Sequence, residues 1–79
     1  MPLTPAQCRA ARALLNWSQA QLAEASKIAT KTIANFELGK RQPHDRTLDD
    51  LRDALEAAGV IFVAENDDGP GVRLRKEKA

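Results

Sequence analysis

Residues 18–39 read Ser18-Gln-Ala-Gln-Leu-Ala-Glu-Ala-Ser-Lys-Ile-Ala-Thr-Lys-Thr-Ile-Ala-Asn-Phe-Glu-Leu-Gly39. The segment contains two short helical patterns separated by a break of about three residues. Ser18 is placed to cap the first pattern, and Gln21, three positions later, completes a capping box with it. Gly39 supplies a left-handed residue that ends the second pattern. Apolar residues suited to holding the two helices together lie between these ends: Leu22, Ala23, Ile28, Ile33 and Phe36.

The outward face of the second helix carries small hydrogen-bonding groups and one basic group, supplied by Thr30, Lys31, Thr32 and Asn35. A helix with such a face is suited to reading base edges in the major groove of DNA. The segment is therefore predicted to be a helix-turn-helix.

The net charge of +1 conceals an uneven distribution. Residues 1–44 contain six Lys or Arg and two acidic residues, whereas residues 45–79 contain six Lys or Arg and nine acidic residues. Positive charge therefore gathers around the second helix and the loop after it, which would orient the chain on an anionic duplex. Two solvated faces without partners explain the same distribution equally well, so charge alone does not decide.

With 79 residues the chain is one small domain. A core of this size supplies about 3–5 kcal/mol, so an oligomer is expected. One cysteine cannot form an internal disulfide, which fits a reducing compartment. The longest apolar run, residues 60–64, is far shorter than the ~20 residues of a membrane helix, and no N-terminal signal is expected. We expect a cytoplasmic protein without a membrane partner.

The chain on either side of the central segment adds two helices. Thr4, Pro5 and Gln7 predict the start of a helix over residues 5–15, because Thr and Gln form a capping box and Pro suits the first helical position. A further helix is expected over about residues 45–58, ended by Gly59. Its apolar residues recur at intervals of three and four: Leu48, Leu51 and Leu55.

The last part of the chain has strand character. Residues 60–64 are β-branched or aromatic and residues 72–75 alternate, so with the loop 65–71 they predict a short β-hairpin. Such a hairpin is marginal alone, so it must pack on the helices or join another sheet. We predict a helix-turn-helix domain over 1–59, a hairpin over 60–75 that serves dimerisation, and a flexible tail over 76–79.

The chain resembles the phage-repressor and Cro-like helix-turn-helix family, often called XRE-type, over about residues 5–58. The matching positions are Arg12, residues 17–23, Thr32-Ile33, residues 36–39, Pro43, Thr47-Leu48 and Leu51. The resemblance implies a mainly α fold, a four-to-five-helix phage-repressor-like domain, here with a short C-terminal β-hairpin. It also implies binding to double-stranded DNA.

The resemblance further assigns roles to individual positions. Residues expected to read bases are Thr30, Lys31 and Asn35, with Asn35 suited to adenine and Lys31 to guanine. Residues expected to contact phosphates are Ser18, Gln19, Thr32, Lys40 and Arg41, with a thymine methyl as the alternative target of Thr32. Lys27 is a further phosphate candidate, because such a contact would compensate for its departure from the family's pattern. Arg12 and Glu37 match positions that form an ion pair between the first and third helices, and this pair is expected to be structural.

Two residues depart from the family's pattern. Lys27 stands where the turn after the second helix usually has glycine, and a non-glycine residue at positive φ costs roughly 1 kcal/mol. Ala29 replaces the usual Ser or Thr cap of the third helix, which forfeits about 0.5–2 kcal/mol unless Thr30 serves instead. Either the turn is rebuilt and the third helix shifts by a residue, or Lys27 gains a phosphate contact in compensation.

Other residues that could carry chemistry favour structural roles. Cys8 is expected to be a small core residue, and His44 lies where the fourth helix should be capped. The cluster Asn66-Asp67-Asp68-Gly69 lacks the distal glutamate of a calcium loop and favours a turn. No catalytic, metal-ligating or cofactor-binding set is predicted, and we expect no enzyme.

The leading hypothesis is a homodimeric, sequence-specific transcriptional regulator that reads an operator with the helix over about 30–38. Two subunits would place their reading helices about one DNA turn, ~34 Å, apart. The expected dimer surface consists of Leu55, Val60, Ile61, Phe62, Val63, Val72 and Leu74.

Two alternatives remain open. One is an antitoxin that binds DNA and neutralises a toxin partner through a hairpin edge. The other is a protein-interaction module that has lost DNA binding, as the departures at Lys27 and Ala29 would allow. Retention of Lys31 and Asn35 argues against the second of these.

Overall fold

A computed structural model describes residues 3–64 and 68–76 of the chain. Within these residues four α-helices precede a two-stranded antiparallel sheet. The elements are α1 (Pro5–Leu15), α2 (Gln19–Ser26), α3 (Thr30–Glu37), α4 (Asp45–Ala57), β1 (Val60–Val63) and β2 (Gly71–Leu74). The mainly helical fold with a C-terminal hairpin is confirmed. Residues 65–67 of the expected loop, and 77–79 of the expected tail, lie outside the described residues.

Both predicted capping boxes are present. At α1, the Thr4 hydroxyl accepts from the Gln7 amide N–H and the Gln7 side chain accepts from the Thr4 N–H, each at 3.1 Å. At α2, Ser18 and Gln21 make the reciprocal pair at 3.1 and 2.7 Å. These bonds satisfy N–H groups that the first turn of a helix leaves free, and they fix where α1 and α2 begin.

The turn between α2 and α3 contains both residues that depart from the expected pattern, Lys27 and Ala29. Lys27 adopts the left-handed conformation at φ 64°, and its N–H donates to the carbonyl of Ala23 at 2.9 Å. Ala29 is the N-cap of α3 and makes no side-chain capping bond. α3 nevertheless begins at Thr30, so the helix is not shifted. Gly39, at φ 74°, follows its last turn as expected.

The core is drawn from all four helices, from β1 and from Leu3, which precedes α1. Its buried apolar residues are Leu3, Cys8, Ala11, Leu22, Ile33, Phe36, Leu48, Leu51, Leu55 and Val60. Cys8 therefore has the core position expected of it. This core fixes α3 between α1 and α2, which is the arrangement that presents its other face outward.

The hairpin packs on the helices of its own chain. Val60 pairs with Leu74 and Phe62 with Val72, and Phe62 and Val72 lie against the core. The side-chain amide of Gln7, which also caps α1, donates to the carbonyl of Gly71 at 3.2 Å. The hairpin therefore completes the helical domain.

This packing removes two residues from the expected dimer surface. Leu55 is 0 % and Val60 1 % exposed, because both fill the space between α1, α4 and β1. Among the other dimerisation candidates, Ile61, Phe62, Val63 and Val72 are half-buried, and Leu74 is exposed. Each strand differs slightly from its expected range. β1 ends at Val63, and β2 runs from Gly71, which pairs with Val63, to Leu74. None of the helices in residues 3–64 and 68–76 is long and apolar enough to span a bilayer.

Candidate nucleic-acid interface

α3 has one buried and one open face. Ile33, Phe36 and Glu37 are 0, 1 and 3 % exposed and point into the domain. Thr30 and Lys31 are exposed, and Asn35 is half-buried. Lys31 and Asn35 are four residues apart and therefore share one side of the helix. Two of the residues expected to read bases, Lys31 and Asn35, thus lie on the face opposite the core, whereas Thr30 is exposed at the first position of the helix.

A hollow of about 630 Å³ separates this face of α3 from the loop before α4 and the start of α4. The residues lining this α3–α4 hollow are Ala29, Lys31, Thr32, Asn35, Arg41, Gln42, Pro43, His44 and Thr47. Two of the predicted base readers and two of the predicted phosphate ligands border it. The hollow is rich in hydrogen-bond donors and has two basic side chains, which suits a phosphate backbone and base edges.

The other predicted ligands lie outside the hollow's lining. Thr30 and Lys40 are exposed, at the start of α3 and just after Gly39. Lys27 is exposed at the α2–α3 turn. Ser18 and Gln19 are both bonded within the chain, Ser18 to Gln21 and Gln19 to Glu37.

The carboxylate of Glu37 joins three helices. From α1, Arg12 donates from Nε to Oε2 at 2.7 Å and from Nη2 to Oε1 at 2.6 Å, which makes a bidentate ion pair. Also from α1, the Cys8 thiol donates to Oε2 at 3.1 Å. From α2, the side-chain amide of Gln19 donates to Oε1 at 3.0 Å. We call these four residues the Glu37 junction: Cys8, Arg12, Gln19 and Glu37.

Two further bonds tie backbone groups to the junction. Arg12 Nη1 donates to the carbonyl of Trp17 at 3.0 Å, which anchors the segment between α1 and α2. Arg9 Nη1 donates to the backbone carbonyl of Glu37, at the C-terminal end of α3. The carbonyl of Glu37 is at the C-terminal end of α3, where the intrahelical pattern leaves acceptors free, and that of Trp17 lies in the segment between α1 and α2.

The junction holds its groups in defined charge states. Burial of Glu37 alone raises the pKa of its carboxyl, but hydrogen bonds from Arg12, Gln19 and Cys8 and the charge of Arg12 bring that pKa below its usual range. Hydrogen bonding to Glu37 raises the pKa of Arg12. Burial, followed by the bond to Glu37, strongly raises the pKa of the Cys8 thiol. At neutral pH the junction is therefore a carboxylate, a guanidinium and a neutral thiol.

Sequence reasoning missed part of this arrangement. Cys8 was interpreted only as core, although Cys8 and Arg12 are four residues apart on α1 and must share a face. That spacing, with Glu37 already paired to Arg12, was a signal for the thiol donor. Gln42 and Thr47 were also missed as parts of the hollow, because their approach to α3 depends on the path of the loop.

His44 occupies the predicted N-cap of α4 but makes no side-chain capping bond. In the described part of the chain, no group of three or more His, Cys, Asp or Glu side chains is placed to hold a metal ion. The Asn66–Gly69 cluster falls partly outside the described residues.

A model of the helix-turn-helix family matches residues 9–57, which is more than half of the chain. The protein belongs to this family and is a DNA-binding transcription regulator of the XRE kind. No curated protein matches the chain. The matched region contains α2, α3, the α3–α4 hollow and all but Cys8 of the Glu37 junction.

Proposed function

We propose that the protein is a homodimeric regulator that binds a specific operator by inserting α3 into the major groove. The observation that carries this proposal is the open face of α3, where Lys31 and Asn35 border a hollow shared with Arg41. Such a face offers base-reading groups beside a basic loop that can hold the phosphate backbone. The site of action would be the cytoplasm.

Base reading is assigned to Thr30, Lys31 and Asn35. The Asn35 carboxamide can pair with N6 and N7 of adenine, and Lys31 can donate to O6 and N7 of guanine. Thr30 is the first residue of α3, and the N-terminal residues of a reading helix are those that meet base edges. Phosphate contacts are assigned to Ser18, Gln19, Lys27, Thr32, Lys40 and Arg41.

The test is a fluorescence titration against the native promoter region and a random duplex of equal length. Lys31→Ala and Asn35→Ala should each reduce discrimination by about 1–3 kcal/mol if the contact is bidentate. Lys76→Ala is the matched control, because it removes an exposed positive charge that lies beyond the end of β2 and outside the hollow. Equal losses on both duplexes would contradict base reading, and absence of salt-sensitive binding to any duplex would contradict the function.

The dimer interface is assigned to the outer face of the hairpin. Ile61 lies opposite Arg73 and Val63 opposite Gly71, on the sheet face away from Phe62 and the core. Truncation after Gly59 would strip core residues from the domain, so a point change is the sharper test. Ile61→Lys should give a monomer by sedimentation equilibrium.

The control for this change is Leu14→Lys, which makes the same kind of substitution at an exposed leucine of α1. We expect Leu14→Lys to remain dimeric. Dissociation by Leu14→Lys but not by Ile61→Lys would move the interface to α1. A monomeric wild-type protein that still binds a two-half-site operator without cooperativity would reject the dimer.

An antitoxin is the second candidate, and the same outer face of the hairpin favours it. Its half-exposed apolar residues and the free edges of a two-stranded sheet suit a protein partner. Expression of the neighbouring reading frame alone should arrest growth, and co-expression of this protein should restore it. Growth unaffected by that frame would exclude a toxin encoded there.

A further inference from the structure

The side chain of Gln19 makes a hydrogen bond within the protein. Gln19 is the first residue of α2 and half-buried, and its Nε2 lies 3.0 Å from Oε1 of Glu37. The same oxygen accepts from Arg12 at 2.6 Å. The side chain expected to contact only DNA phosphate therefore links α2 to the last residue of α3.

The chemistry of this bond fixes the orientation of the Gln19 amide. An ionised carboxylate only accepts hydrogen bonds, so Gln19 must turn its NH₂ group toward Glu37. That group has two hydrogens, and one of them remains for a second acceptor such as a phosphate oxygen. A single amide nitrogen can thus bridge the DNA backbone and the Glu37 junction.

The bond from Gln19 matters because the two ends of α3 are held differently. The N-terminal end of α3 has no side-chain cap, since its N-cap is Ala29. At the C-terminal end, Glu37 is 3 % exposed and receives donors from two other helices. Among the bonds of the Glu37 junction, the one from Gln19 alone joins the two helices of the helix-turn-helix directly.

We propose that Gln19 is a positioning residue for base reading, which sets the orientation of α3 through the carboxylate of Glu37. This inference rests on the proposed DNA-binding function. It predicts that loss of the amide reduces discrimination between sequences, whereas a residue that only holds a phosphate would lose affinity for all duplexes equally.

The experiment compares Gln19→Met with wild type. Methionine keeps the length of the side chain and removes the amide. Residues that act through a neighbour change coupling by roughly 2- to 30-fold, and we expect the operator-to-random affinity ratio to fall within that range. Gln19→Lys restores a donor and should recover most of the ratio.

A second readout uses the protein without DNA. In Gln19→Met the NMR titration of the Glu37 carboxyl should move to higher pH, because a hydrogen bond that stabilises the carboxylate is lost. Amide hydrogen exchange at the C-terminal end of α3 should become faster. Gln42→Met makes the same chemical change at the α3–α4 hollow and is a control for the DNA-free measurements only. It should leave the Glu37 titration and the α3 hydrogen exchange unaltered.

Three results would overturn the proposal. The first is an equal loss of affinity for operator and random duplex in Gln19→Met. The second is an unchanged Glu37 titration and α3 exchange in a folded Gln19→Met variant, where thermal unfolding verifies the fold. The third is failure of Gln19→Lys to recover discrimination. If wild type binds no operator, the proposed function fails, and the DNA-free readout still decides whether Gln19 acts on Glu37.

Discussion

Replacing Arg12 with methionine tests the Glu37 junction most severely. The substitution keeps an unbranched apolar stem of similar length and removes the guanidinium. Glu37, 3 % exposed, then keeps only Gln19 and Cys8 as side-chain donors. The variant therefore buries a carboxylate whose charge has no counter-ion in the junction.

The size of the effect follows from that geometry. Removing one partner of a buried, bidentate ion pair costs about 3–5 kcal/mol, because the remaining charge is left uncompensated. A domain of this length has a total stability of about 4–12 kcal/mol. We therefore expect the unfolding midpoint of Arg12→Met to fall by roughly 12 °C or more at pH 7, measured by circular dichroism.

The pH dependence separates charge from packing. In wild type the pKa of Glu37 is below its usual range, so its contribution is present above the unfolded pKa, about 4.3, and is lost as pH falls through the folded pKa. In Arg12→Met burial raises the pKa of Glu37, and protonation then favours the folded state. The stability difference between the two proteins should therefore shrink between pH 7 and pH 4.

The control for this prediction is Arg9→Met, on the same helix. Arg9 is exposed and bonds only the backbone carbonyl of Glu37, so its loss should cost about 1 kcal/mol with no such pH dependence. A stability difference for Arg12→Met that is the same at pH 7 and pH 4 would refute the electrostatic account. The cost would then come from lost packing of the arginine stem.

Three other substitutions have defined expectations. The raised pKa of the Cys8 thiol means that its contribution is present below the unfolded pKa and lost as pH rises above it, so wild-type stability should decline above about pH 8.5 relative to Cys8→Ala, by up to ~1.4 kcal/mol per pH unit. The free energy of unfolding of both proteins is measured by urea unfolding. A difference between them that stays constant above about pH 8.5 would contradict a buried neutral thiol. Lys27→Gly should raise the free energy of unfolding by about 1 kcal/mol, because glycine relieves the left-handed strain, and no gain would show that Lys27 is not strained. Ala29→Ser should add about 0.5–2 kcal/mol by capping α3, and a neutral result in thermal unfolding would mean that these N–H groups are already solvated well.

The helix starts were predictable because their determinants are local. The bonds between Thr4 and Gln7, and between Ser18 and Gln21, span three residues and follow from side-chain reach alone. The uncapped start at Ala29 was readable for the same reason. The conformation of one helical turn depends on a few neighbouring residues, which can be identified directly in the sequence.

Long-range partners were not predictable by the same reasoning. Cys8 and Glu37 are separated by 29 residues, and Gln7 and Gly71 by 64, so their contacts depend on how the helices pack. Gln7 could be predicted as a capping residue but not as an anchor for β2. The resemblance to a known family supplied the pairing of Arg12 with Glu37, and residue spacing alone did not.

The hairpin shows how a correct secondary-structure prediction leaves open which of its residues are available to a partner. The sequence predicts that the hairpin packs on the helices or joins another sheet, and it does not say which of its apolar residues serve each contact. The hairpin packs on α1 and α4 of its own chain, so that Val60 and Leu55 are buried there. Alternation indicates that one face of a strand is covered, but it does not say by what.

Among the helices that the structure describes, α3 depends most on contacts with the rest of the domain. α3 has eight residues, no side-chain cap at its N-terminal end, and a left-handed residue, Lys27, three positions before it. Isolated helices shorter than about 12–15 residues are marginal in water. The order of α3 must therefore come from tertiary contacts: Ile33 and Phe36 in the core, and Glu37 at the junction. Apolar contacts resist separation of helices but tolerate small rotations, whereas a bidentate ion pair with a further amide donor fixes direction. For this reason we expect changes in the Glu37 junction to alter which sequences are bound before they abolish binding, provided that the variant stays folded.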